Sequence, residues 1–167
     1  LDRMGFAPAG KVIFGMDVVK SFYAGYGEEP SGLQERIGEM GNKFLDKEFP
    51  DLDSIKRAVF IAEIVDMDAV AKQKHEEQLQ VLKERASGNI TLGVSERAPD
   101  VFKAKFECSM GAFVVECTRD WSPNGADRFH TLIKNGFYDG TKFFRVVTNY
   151  IAQFGLPAQA DITGKWH

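Results

Sequence analysis

From Asp66 to Ala86 the chain is rich in Lys, Gln, Glu and Asp and holds not one Phe, Tyr or Trp, although these make up 12% of the whole. This break divides the 167 residues into an apolar block at 1–63, a charged connection at 64–100 and a second apolar block at 101–167. Within the charged stretch Met67, Ala71, Leu79, Leu82 and Ala86 form a thin stripe at helical spacing. Asp66 or Asp68 can cap its start and Gly88 its end. A helix with so narrow an apolar face is an exposed connector. A coiled coil would need three or four sustained heptads, and these are absent. His75 lies among the charges as a solvated residue.

The second block opens with the alternation Phe102 to Thr118, which predicts a hairpin turning at Met110-Gly111. That register pairs Ala104 with Cys117, Phe106 with Val115 and Cys108 with Phe113 on an apolar face, and sets Lys105 against Glu116 on the other. Cys108 and Cys117 are then about 13 Å apart along the strands. A disulfide needs Cα atoms within about 7 Å. Both therefore read as reduced core thiols, which suits a soluble protein in an intracellular compartment, cytoplasmic or organellar. Ser122-Pro123 begins a helix, cap then first-turn proline. Ala126, Phe129 and Ile133 form its apolar face and Asn135-Gly136 its stop. Asp127 and His130 lie three apart on it and are expected to share a surface hydrogen bond.

Residues 143–155 place one cation, Arg145, inside an apolar run. Read as a strand, Phe144 and Val146 share one face while Phe143, Arg145 and Val147 share the other. An arginine between Phe and Val marks a surface that something else covers, although an Arg stem can also lie over apolar residues with its head in water. In the first block the pattern predicts a strand at Lys11–Phe14, then a short helix from Asp17 with Val18, Val19 and Phe22 inward and a stop at Gly25. A long surface loop at 24–42, a helix from Lys43 to Phe49 before Pro50 and a strand over Asp53–Ile61 complete it.

Composition excludes several functions. A net charge of -3 leaves no basic excess for nucleic acid. No apolar run approaches the ~20 residues of a membrane span. His75, His130 and His167 with two cysteines are too scattered for a metal site, and no Gly-rich phosphate loop is present. No metal or cofactor is expected. The opening Leu1-Asp2-Arg3-Met4-Gly5 lacks the features of a signal peptide, and both ends read as cut.

Residues 101–167 resemble the first half of a cyclophilin-type peptidyl-prolyl cis–trans isomerase. The landmarks are Phe113-Val114-Val115-Glu116, Asp120-Trp121-Ser122-Pro123-Asn124-Gly125-Ala126-Asp127-Arg128-Phe129, Leu132-Ile133-Lys134-Asn135-Gly136-Phe137-Tyr138-Asp139, Phe143-Phe144-Arg145-Val146 and Gln153-Phe154-Gly155. Residues 1–63 resemble the last part of the same fold, at Leu1-Asp2, Gly5-Phe6-Ala7-Pro8, Gly10-Lys11-Val12 and Gly15-Met16-Asp17-Val18-Val19. Gly25-Tyr26-Gly27-Glu28, Gly41-Asn42, Phe49-Pro50 and Ile55-Lys56-Arg57-Ala58 look like the extended C-terminal region of bacterial and algal members. The family's order is reversed, which implies a piece spanning the junction of two tandem cyclophilin domains. The fold expected is α+β, mainly β: an incomplete cyclophilin-like barrel with two flanking helices and a charged linker helix.

The resemblance implies a role for each matching residue. Arg145 stands at the catalytic arginine, and Gln153 at the glutamine that hydrogen-bonds the substrate backbone. Tyr150 stands where the proline pocket usually has Phe, Ile151 where it often has Met, and Leu1 at a pocket-lining leucine. Phe6 lies near a position that is His in many members. The implied partners are proline-containing peptides, unfolded proteins and cyclosporin-like ligands, with neither nucleic acid nor membrane. The alternative is a non-catalytic peptide-binding or scaffold segment.

Overall fold

Alternation does make a hairpin, β3 (Val101–Cys108) and β4 (Gly111–Thr118), with Phe102, Ala104, Phe106 and Cys108 turned inward. In the computed structural model, which describes residues 7–61 and 96–160, its register differs from the expected one by two residues. Phe106 pairs with Phe113, Ala104 with Val115 and Phe102 with Cys117. The turn is Ser109-Met110, because Gly111 (φ 138°) enters β4 opposite Cys108. A shift of two keeps every side chain on its face, so the inward set stands while the pairs change. Lys103, not Lys105, meets Glu116, at 3.7 Å. Both cysteines are buried free thiols.

The hairpin forms the middle of a four-stranded antiparallel sheet of order β1-β4-β3-β2, where β1 is Gly10–Phe14 and β2 is Ile55–Ile61. Val12 pairs with Val115 and Ala58 with Phe106. The two blocks on either side of the charged stretch thus share one sheet. Among the described residues it does not close into a barrel: β1 and β2 are its edges, and β5 (Arg145–Val147) with β6 (Ile151–Gln153) makes a separate two-stranded sheet. The fold is mixed α/β, with more helix than the expected mainly-β reading allowed. The charged helix at 66–86, His75, Leu1, Phe6 and His167 lie outside the described residues.

One core packs α4 (Pro123–Lys134), through Ala126 and Ile133, and α1 (Met16–Lys20) against the sheet. Phe106 sits at its centre, stacked on Phe113 at 5.0 Å and on Phe129 at 6.0 Å. The cap of α4 is weaker than expected, since the Ser122 side chain makes no capping bond. Asp127 does not bond His130; its carboxylate takes Arg119 through two bonds, at 2.7 and 2.8 Å, and the Ala98 amide at 2.8 Å.

A second core overturns the expected surface loop at 24–42. The segment holds a 3₁₀ helix (Glu29–Leu33) and α2 (Gln34–Met40), followed by α3 (Asn42–Glu48). Ile37, Phe44, Leu45, Phe49 and Leu52 close around Phe144. Gly32, Gly38 and Gly41 argued against helix by propensity, and burial of Ile37 overrode them. Gly41 separates the helices at φ 59°, where an added Cβ would lie 2.4 Å from the Ala158 carbonyl oxygen.

Candidate active site

The segment before Arg145 is fastened to the start of β2. The Ile55 amide donates to the Thr141 carbonyl at 2.8 Å, and the Phe143 amide to the Asp53 carbonyl at 2.9 Å. Phe143 then enters the first core and Phe144 the second. Consecutive aromatics anchored in two different cores fix the chain's direction as it enters β5. The expected alternation begins only at Arg145, so Phe143 does not share its face, and Phe144 and Val146 go to separate cores.

The β5–β6 hairpin pairs Arg145 with Gln153, Val146 with Ala152 and Val147 with Ile151. Partners opposite each other share a face, so Arg145 and Gln153 stand together while Val146 turns into the core. Asn149, at φ 59°, makes the turn, and the Tyr150 amide donates to the Val147 carbonyl at 3.0 Å. Arg145 Nη1 donates to Gln153 Oε1 at 3.4 Å. Its Nε donates to Glu28 Oε1 at 3.2 Å, and Nη2 contacts the same oxygen. The Arg145 side chain keeps 25% of its exposure.

Tyr150 and Ile151 occupy a neighbouring place. They line a cavity of about 300 Å³ between α1 and the hairpin tip, with Met16, Val19 and Phe22 opposite and Lys20 also on its wall. Tyr150 is 70% exposed while contributing to the lining of this cavity. Arg145 and Gln153 do not line it. The structure therefore joins the expected site residues in two pairs, Arg145 with Gln153 and Tyr150 with Ile151. Glu28 was not among them. Its contact spans 117 positions, and the only local signal was its place in Gly25-Tyr26-Gly27-Glu28. Among the described residues no group of three or more His, Cys, Asp or Glu could hold a metal ion, and no helix is long and apolar enough to cross a membrane.

Residues 103–166, which carry all of this hairpin, match the family described as cyclophilin type peptidyl-prolyl cis-trans isomerase/CLD. Over that segment the sequence is similar to cyclophilin-type isomerases. Peptidyl-prolyl cis-trans isomerase-like 1 of Gibberella zeae is 35% identical over 51 residues, covering 30% of this chain and 32% of that protein. Peptidyl-prolyl cis-trans isomerase ppi1 of Schizosaccharomyces pombe is 34% identical over 53 residues, 32% of this chain and 34% of that one. A peptidyl-prolyl cis-trans isomerase of Helicobacter pylori is 33% identical over 64 residues, 38% of this chain and 39% of that one. The chain spans about a third of the length of the curated relatives it matches. No solved structure matches it.

Proposed function

We propose that the chain acts as a peptidyl-prolyl cis–trans isomerase on proline-containing peptides and unfolded proteins, with Arg145 as its catalytic residue. The observation that carries this reading is the facing pair Arg145–Gln153 inside the segment that matches the isomerase family. The barrier to rotation, about 18–20 kcal/mol, exists because the amide nitrogen shares its lone pair with the carbonyl. Twisting the X-Pro bond returns that pair to the proline nitrogen. A guanidinium N–H aimed there stabilises the twisted amide more than either planar form, which is the differential binding that lowers a barrier. Gln153 holds the peptide backbone beside it, and the cavity at Tyr150 and Ile151, with Met16, Val19 and Phe22 as its apolar wall, takes the proline ring, or the apolar side chains of cyclosporin-like ligands. The reaction moves no proton and needs no nucleophile.

A protease-coupled assay with an X-Pro peptide tests the reading. A rate above background that Arg145→Ala removes is expected, and a folded chain without such a rate refutes it. One observation favours the second reading, a peptide-binding segment that does not catalyse: Arg145 and the cavity residues do not line one pocket. Saturable binding of the same peptide without any rate would establish it.

A further inference from the structure

Glu28 is the partner of Arg145 that comes from outside the segment matched to the family. A guanidinium has five N–H groups. Among the described residues, Glu28 engages Nε and Nη2 through one oxygen, and Gln153 engages Nη1. One N–H on each terminal nitrogen is left to meet a substrate. Acceptors on the Nε/Nη2 edge and on Nη1 together restrain its plane.

The loop that carries Glu28 is built to hold it in place. The Glu28 carbonyl accepts both the Ser31 amide at 3.0 Å and the Ser31 hydroxyl at 2.6 Å. Tyr26 packs edge-on against Phe49 at 5.1 Å, and its hydroxyl donates to Asp51 at 2.9 Å. Pro30 is buried. The Glu28 side chain itself is 63% exposed. An ion pair so open to water contributes little to stability, so an anchored loop that ends in one has its effect on the arginine. Holding a catalytic group in its reactive orientation removes part of the entropy cost of the reaction.

We propose that Glu28 is the positioning residue of the isomerase site, fixing the plane of the Arg145 guanidinium so that its free N–H groups face the proline nitrogen. This inference rests on the isomerase reading above. The test combines isomerisation kinetics of an X-Pro peptide with NMR of the Arg145 Nε–H, on the full chain and on Glu28→Ala and Glu28→Gln. Glu28→Ala is expected to lower kcat about tenfold with KM held and to speed exchange of the Nε–H. Glu28→Gln, which keeps an acceptor oxygen, restores most of both. A rate that rises in both variants shows a carboxylate that masks the cation, and overturns the proposal. The same follows if the Nε–H is indistinguishable between wild type and Glu28→Ala. The two readings fail separately. A wild-type chain with no rate but a held Nε–H refutes the isomerase reading, and an active chain untouched by Glu28→Ala refutes this one.

Discussion

Arg145 takes its position from Phe143 and Phe144, held in separate cores, and from Glu28 and Gln153, which accept from different nitrogens of its head. Replacing it tests charge and shape separately. Arg145→Ala is expected to cut kcat/KM by about a hundredfold, the usual cost of one donor aimed at a transition state. Arg145→Lys keeps the charge but not the planar fork and should recover only a minor share, measured in the same assay. The cysteines make a second prediction at this scale. Burial pushes the Cys108 thiol up to about 12 and Cys117 to about 11. Since the thiolate is the nucleophile, neither should react with iodoacetamide at pH 8 in the native chain, and both should in denaturant. Arg145 and Gln153 were legible one by one, through an out-of-place charge and a family pattern. That they face each other depends on the left-handed backbone at Asn149. Glu28 was illegible because nothing local records a contact made across 117 positions.

Among the elements, the two helices at 34–48 matter most, because they build the second core around the residue next to Arg145. Phe144→Ala should therefore cost about 3–5 kcal/mol, read from denaturant unfolding. Gly41→Ala places a Cβ against the Ala158 carbonyl at positive φ and should cost about 1–3 kcal/mol. Sequence reading missed α2 because one buried isoleucine among glycines and charges leaves no periodic stripe. It read the inward residues of β3 and β4 correctly, because a period of two survives any even shift. It misplaced the register by two, because a turn selects register through the backbone of single residues, here Gly111.

At the scale of the molecule, the shared sheet predicts one cooperative unfolding transition for both blocks. Near- and far-ultraviolet dichroism should melt together, and two separate transitions would contradict the shared sheet. His130 lies at the seam. Its ring stacks on Phe60 of β2 at 4.4 Å and meets Phe102 of β3 edge-on at 5.1 Å, and its buried Nδ1 has no hydrogen-bond partner among the described residues. Burial first, then the Lys134 charge, lowers its pKa below the ordinary 6.5, while Glu96 and Asp127 oppose the shift weakly. The unfolded chain thus binds this proton at a higher pH than the folded one. Stability should fall as pH drops through 6.5 and level off below the folded value. His130→Leu should flatten that slope between pH 7 and 5. Asp127, held at about 2 by Arg119 and the Ala98 amide against an ordinary 3.8, adds a separate loss only below pH 4.

The strand order also sets a timetable for synthesis. β1 and β2 leave the ribosome first, yet each is the neighbour of a hairpin strand and not of the other. At roughly 5–20 residues per second the interval from Ile61 to Thr118 lasts on the order of several seconds. Throughout it, the two strands lack the β4 and β3 neighbours of the folded sheet, and their backbone can pair with any passing edge. The nascent chain is thus exposed to mispairing until its second block arrives, and a holding chaperone during translation should raise its soluble yield.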